Sequence, residues 1–261
     1  MNNDFIRVSA AALRQGYSSK QPISALTETN PQLTLEEAYK IQLLNVEEAI
    51  KNGQKIVGKK IGLTSKAMQS FLGVSEPDYG HIFDSMVWDE ETPISLKGLV
   101  QPKIEAELAF ILGEDLQGPG VSLSDVLSAT AGIVPSFEII DSRIKDWKIK
   151  IQDTIADNAS SAGIILGSQI FSVNLVNLKY VGMVLEKNGQ ITETAAGAAV
   201  MGHPALAVAW LANKLGSLGI PLKKGEIILS GSLTKALEVK GGDIFHASFG
   251  GLGTVKAVFT Q

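Results

Sequence analysis

Two glutamates one residue apart, Glu105 and Glu107, lie in the run Gln101-Pro102-Lys103-Ile104-Glu105-Ala106-Glu107-Leu108-Ala109-Phe110. Side chains alternate across a β-strand. Ala106, Leu108 and Phe110 therefore share one apolar face, and Glu105 and Glu107 share the other with Lys103. Like charges this close repel unless something neutralises them. For an isolated Glu-x-Glu, a solvated strand face is the ordinary explanation. A third carboxylate shifts the balance. Glu138 stands 31 positions after Glu107, inside the otherwise apolar Ile133-Val134-Pro135-Ser136-Phe137-Glu138-Ile139-Ile140. A glutamate there is costly to bury unless it is paired or binds a metal. If the two strands are neighbours, three carboxylates converge. Hard oxygen ligands without His or Cys suit Mg²⁺, Mn²⁺ or Ca²⁺ rather than zinc.

Other residues with chemical potential have ordinary explanations when taken alone. Lys60, in Lys59-Lys60-Ile61-Gly62, reads as a solvated lysine. Asp78, in Glu76-Pro77-Asp78-Tyr79-Gly80, reads as a turn aspartate. Ser160, in Asp157-Asn158-Ala159-Ser160, reads as a loop or cap serine. His203 precedes Pro204 at a helix start and suits packing or capping, while His81 and His246 are isolated. Nothing supports a His-based triad. With no cysteine, disulfides, thiolate catalysis and Cys-ligated zinc or iron–sulfur sites are excluded. A phosphate cradle needs a helix after its glycine-rich turn. Gly250-Gly251-Leu252-Gly253 is followed instead by the strand-like Thr254–Phe259, which predicts a hairpin.

The elements that must position these residues follow from pattern and punctuation. The chain has 261 residues, 45% apolar and 19% charged, with a net charge of −4. That composition excludes a disordered chain and disfavours a nucleic-acid binder. No run reaches the ~18 apolar residues of a spanning helix. Met1-Asn2-Asn3-Asp4 lacks the basic and apolar regions of a signal peptide. No membrane association is expected, and the lack of cysteine points to the cytoplasm. Asp4 is expected to cap a helix over Phe5–Gln15 that stops at Gly16. Thr34 and Glu37 form a capping-box pattern ahead of a helix with Tyr39, Leu43, Val46 and Ile50 as its apolar face, ending at Asn52-Gly53. Beyond about residue 55, strands are expected at Glu105–Leu112, Ile133–Ile140, Gly163–Leu166, Tyr180–Glu186, Glu226–Ser230 and Thr254–Phe259. Helices are expected near Ser124–Ala131 and over Pro204–Leu215, the second with Pro at its first position and Gly216 past its end.

Glu105-x-Glu107 with Glu138, together with three further segments, resembles the hydratase/decarboxylase branch of the fumarylacetoacetate hydrolase superfamily. The segments are Gly58-Lys59-Lys60-Ile61-Gly62-Leu63-Thr64-Ser65, Gly73-Val74-Ser75-Glu76-Pro77-Asp78-Tyr79-Gly80 and Asp153-Thr154-Ile155-Ala156-Asp157-Asn158-Ala159-Ser160. The resemblance covers nearly the whole chain. It implies a mixed α/β (α+β) fold, a β-roll with flanking helices, with residues 1–54 as an N-terminal helical segment and 55–261 as the catalytic domain of one continuous unit. It implies Glu105, Glu107 and Glu138 as ligands of Mg²⁺, with Mn²⁺ possible, and Lys60 and Asp78 as catalytic residues. Ser160 would bind the substrate carboxylate. A lysine beside the cation would have its pKa lowered by like charge.

The implied reaction is hydration of 2-hydroxypenta-2,4-dienoate (2-oxopent-4-enoate) to 4-hydroxy-2-oxopentanoate, in meta-cleavage catabolism of aromatic compounds. Ser142–Asp153 and Gly225–Leu233 favour that branch. Ala196–Pro204 and Asn158–Ser161 also look like 4-oxalocrotonate (2-oxohex-3-enedioate) decarboxylases, which is the alternative, as is a 2-oxohept-4-ene-1,7-dioate hydratase. A homo-oligomer is implied, and association with other pathway enzymes is possible.

Overall fold

The computed structural model describes residues 3–66, 69–70 and 73–261. Met1 and Asn2, where the signal-peptide reading begins, lie outside the described residues. Helix α1 (Asn3–Ser19) runs straight through Gly16, so neither the Asp4 cap nor the Gly16 stop holds. Lys20, with φ +57°, takes the left-handed position after the helix instead. Gly16 serves packing: a Cβ there would sit 3.2 Å from the Gln21 carbonyl oxygen. After the single turn α2 (Leu26–Thr29) comes α3 (Leu35–Lys51). The expected capping box is present, with Thr34 and Glu37 satisfying each other's backbone N–H, and Gly53 follows at φ +91°. The buried face of α3 is different from the expected one. Ala38, Ile41, Gln42 and Val46 face inward, while Leu43 and Ile50 are 38% and 48% exposed. Gln42 sits at the centre of the seam, its amide donating to the carbonyls of Tyr79 and Ile155.

The strands are β1 (Ile56–Gly62), β2 (Asp78–Phe83), β3 (Val87–Trp88), β4 (Ile94–Ser95), β5 (Pro102–Leu112), β6 (Thr130–Asp141), β7 (Ser161–Leu166), β8 (Gly182–Lys187), β9 (Gln190–Ala196), β10 (Ile227–Leu229), β11 (Leu237–Glu238), β12 (Ile244–Phe249) and β13 (Gly253–Thr260). Further helices are α4 (Leu123–Ala129), α5 (Ile151–Ala156) and α6 (Pro204–Gly216). Among the described residues, one sheet runs β2-β1-β10-β5-β6-β7-β3 with β11 on β5, and the other runs β4-β13-β12-β8-β9. The expected hairpin is β12–β13. Pro204 opens α6 behind a His203 N-cap whose Nδ1 accepts from Ala205 N at 3.1 Å. Gly216 lies within the last turn rather than past it.

The large sheet curls until β2 and β7 touch. Its outer face, with Ala106, Leu108 and Phe110, joins the second sheet and α6 in the main core. Its inner face closes on Ile82, Ala109, Val134, Ile164 and Leu229, all buried. Each large apolar member contributes roughly 1.5–3 kcal/mol on burial. This plug fills one end of the roll and leaves the other end to polar side chains. The N-terminal helices pack outside β2, where Tyr39 stacks on Tyr79 at 4.7 Å. No helix among the described residues is long and apolar enough to cross a membrane.

Candidate functional site

Strands β5 and β6 are antiparallel neighbours, and their register places Glu105 directly opposite Glu138 and Glu107 opposite Ser136. Directly opposed residues point to the same face, so all three glutamates enter the polar end of the roll. One oxygen from each lies within 4.8 Å of the others. Glu107 and Glu138 are buried, and Glu105 is partly exposed. Burial raises all three carboxyls; repulsion from the other glutamates adds to it at Glu105 and Glu107, while Lys60 opposes it at each. Glu105 is pushed up to about 7, and Glu107 and Glu138 also rise.

Partners for these charges are few. Glu107 accepts a hydrogen bond from Gly231 N at 2.8 Å. Glu138 has Lys60 Nζ 3.1 Å from one oxygen, Lys60 and Ser161 both draw its carboxyl down, and no well-aligned hydrogen bond reaches either oxygen among the described residues. Orphaned buried oxygens, close mutual spacing and an oxygen-only donor set fit a hard divalent cation.

Lys60 comes from the adjoining β1, and it is buried rather than solvated, at 4% exposure. Its ammonium also donates to Ala159 O at 3.1 Å. Burial alone pulls this group down, but Glu138, Asp78, Glu105 and Glu107 outweigh it and the net shift is upward. Asp78 is not in a turn. It opens β2 opposite Gly62, fully buried, with no well-aligned hydrogen bond to either oxygen among the described residues. Desolvation raises its carboxyl against the pull of Lys60. A Cβ on Gly62 would fall 2.1 Å from Asp78 Oδ1 and 3.5 Å from Lys60 Nζ. Glycine is therefore required where these two side chains meet.

Ser160 arrives on an unusual turn. Asn158, Ala159 and Ser160 have φ +55°, +51° and +56°, three consecutive left-handed residues without a glycine. Each costs on the order of 1–2 kcal/mol, so the turn must be held from outside. The Asn158 side chain does part of this, accepting from His81 N at 2.8 Å and donating to His81 O at 2.9 Å. Ser160 is buried, and its hydroxyl has no hydrogen-bond partner among the described residues.

The structure thus brings Lys60, Asp78, Glu105, Glu107 and Glu138 together, and the Lys60–Ala159 bond ties the Ser160 turn to them. Sequence reasoning missed two residues at the site. Gly231 lies in a stretch singled out only by resemblance, and its backbone N–H has no side-chain signature. Ser136 faces Glu107 with a buried, unpartnered hydroxyl. Its position two residues before Glu138 on the same strand face was a usable signal.

The family described as fumarylacetoacetate (FAA) hydrolase C-terminal matches residues 50–260. A 2-hydroxyhexa-2,4-dienoate hydratase of Comamonas testosteroni is 47% identical over 100% of this chain and 99% of its own. A 2-keto-4-pentenoate hydratase of Paraburkholderia xenovorans (strain LB400) is 45% identical over 96% of this chain and 93% of its own. Among solved structures, 4-oxalocrotonate decarboxylase from Pseudomonas putida G7, complexed with magnesium and adipate, superposes with a TM-score of 0.96. It is 36% identical and covers 99% of this chain and 98% of its own. The chain belongs to the fumarylacetoacetate hydrolase family.

Proposed function

We propose that this protein is a hydro-lyase that adds water to 2-hydroxypenta-2,4-dienoate, giving 4-hydroxy-2-oxopentanoate. The observation that carries the reading is the carboxylate triad beside buried Lys60 and Asp78, in a chain 42–49% identical to several dienoate and pentenoate hydratases. The proposed ligands of Mg²⁺, with Mn²⁺ as a substitute, are Glu105, Glu107 and Glu138. Magnesium and calcium complexes of the decarboxylase neighbour support a divalent ion of this class. Bound there, such a cation would supply Lewis-acid polarisation of the substrate's 2-oxo group.

The chain's own residues handle binding and protons. The Ser160 hydroxyl, buried without a partner, is free to donate to the substrate carboxylate. Ketonisation transfers the 2-hydroxyl proton to C5 and gives the 2-oxo-3-enoate; water oxygen then adds at C4, and the proton that the water gives up is delivered to C3. Lys60, held as an ammonium by its anionic neighbours, donates toward the oxygen on which charge develops. Asp78, with its carboxyl raised and Lys60 beside it, holds and returns a proton. A homo-oligomer in the cytoplasm, associated with other pathway enzymes, completes the proposal. Val8 and Tyr17 on α1, and Leu43 and Ile50 on α3, leave apolar surface for subunit contact, and sedimentation measures the assembly. We further propose that residues 1–54 and 55–261 act as one unit, supported by the Gln42 bonds to β2 and α5.

A second reading, 4-oxalocrotonate decarboxylase, is favoured by the 0.96 TM-score neighbour. The two are separated by offering purified protein 2-hydroxypenta-2,4-dienoate and 2-oxohex-3-enedioate separately with Mg²⁺. Hydration of the first is expected to run much faster than decarboxylation of the second. Dominant release of carbon dioxide would promote the decarboxylase.

The raised carboxyls also predict a pH effect. Between the ordinary carboxylate value of 4.5 and about 7 for Glu105, the folded chain keeps protons that the unfolded chain has lost. That contribution to stability is lost as pH rises through this window. Glu107, also raised by burial, acts in the same direction. Cation binding needs the same groups deprotonated. Mg²⁺ should therefore raise the melting temperature of chelator-treated protein more at pH 8 than at pH 5. Equal shifts at both pH values in a thermal-melt assay would contradict the ligand assignment.

A further inference from the structure

We propose that the buried Arg143–Asp157 pair is a positioning device for Lys60, acting through the left-handed turn that it holds in place. The proposal rests on the proton-handling role given to Lys60 above. Asp157 uses both carboxylate oxygens on one residue: Oδ1 accepts from Arg143 Nε at 2.5 Å and Oδ2 from Arg143 N at 2.8 Å. The same guanidinium donates from Nη2 to Asp157 O and from Nη1 to Asp141 O, each at 2.6 Å. Asp141 ends β6, the strand of Glu138. Its carboxylate in turn accepts from Val100 N and Gln101 N, just before β5 and Glu105. One cation thus fixes the turn relative to the strand ends that lead to the carboxylates.

Packing on the Asn158 side of the turn is incomplete. A cleft of about 350 Å³ lies there, lined by Leu13, Arg14, Arg143, Asp157 and Asn158 among others, and it contains none of the three glutamates. The turn is also left-handed at three non-glycine residues, a conformation the backbone leaves when unrestrained. On its inner side, Ala159 O accepts from Lys60 Nζ. Moving the turn moves the only carbonyl recorded as an acceptor for this ammonium among the described residues.

Misplacing a catalytic group by about an ångström can cost ~10²-fold, so Asp157→Asn, which weakens the clamp without emptying its space, should lower kcat by roughly tenfold. Mg²⁺ affinity and KM should change little. The deciding measurement is a double-mutant cycle with Lys60→Ala. If the clamp works through Lys60, Asp157→Asn lowers kcat in the wild-type background and has little further effect in Lys60→Ala. Equal proportional losses in both backgrounds would show a merely structural pair and overturn the proposal, as would an unchanged kcat in Asp157→Asn. Should Asp157→Asn fail to fold, Arg143→Lys takes its place in the cycle. It keeps a cation at the site but loses the forked bonds to Asp157 O and Asp141 O that hold the turn. The same non-additive loss supports the proposal, and an unchanged kcat or additive losses overturn it. Wild-type turnover by Lys60→Ala alone would instead remove the role of Lys60 on which the proposal stands.

Discussion

Glu107→Gln is expected to lower activity by 10²-fold or more while the protein stays folded. Replacing even an outer partner of a metal ligand typically costs ~10–100-fold in affinity or activity, and Glu107 is assigned as a ligand itself. The amide keeps the shape, and its oxygen can still accept from Gly231 N. It also removes one of three like charges crowded within 4.8 Å. The metal-free melting temperature should therefore hold or rise, and the increase on adding Mg²⁺ should shrink. Calorimetric titration with Mg²⁺, melting curves and turnover on one preparation read all three effects. Full activity of Glu107→Gln in chelator-treated buffer would show that the cation site has been misassigned.

Lys60→Ala is expected to lower kcat by on the order of 10²-fold or more, as for loss of a positioned acid or base. Lys60 cannot be present to hold a cation, since the two repel. Lys60 lies 3.1 Å from Glu138 and donates to Ala159 O; with that glutamate engaged by a cation, its charge is available to the anionic substrate or to a proton in transit. Mg²⁺ should still bind to Lys60→Ala. Lys60→Arg separates the two roles, because Arg keeps the charge but stays protonated. Restored turnover in Lys60→Arg identifies an electrostatic anchor; failure of both variants identifies proton transfer or a need for lysine's geometry. Wild-type turnover in Lys60→Ala, with Mg²⁺ bound, would reduce Lys60 to a bystander.

The metal-ligand candidates were legible because they obey a local rule. Alternation alone put Glu105 and Glu107 on one face, and an apolar strand made Glu138 anomalous; only the pairing of β5 with β6 had to be assumed. The capping box at Thr34 and the His203-Pro204 start were legible for the same reason, since each closes its hydrogen bonds within a few residues. Failures began where distant contacts decide. Leu43 and Ile50 have the right spacing for a buried face, yet α3 turns Gln42 inward because the carbonyls of Tyr79 and Ile155 need donors. Gly16 looks like a helix stop, but its missing side chain makes room for Gln21. Strands β1 and β2 carry no clear strand pattern in the sequence, because Gly58, Gly62 and Gly80 interrupt the run of strand-forming residues. In fact Gly62 leaves room for Asp78, and Gly80 leaves room for the Asn158 carbonyl, 2.3 Å from where a Cβ would sit. The left-handed turn at Asn158–Ser160 has no glycine to announce it, because it is imposed by Arg143 and His81 from elsewhere in the chain.

The central claim is that a divalent cation on the carboxylate triad makes this chain a hydratase. The most direct measurement follows 2-hydroxypenta-2,4-dienoate by NMR with chelator-treated protein, before and after Mg²⁺ is restored. The account predicts negligible turnover without the ion and 4-hydroxy-2-oxopentanoate as the product with it. Equal turnover in both conditions, or no hydrated product once Mg²⁺ is present, would contradict it.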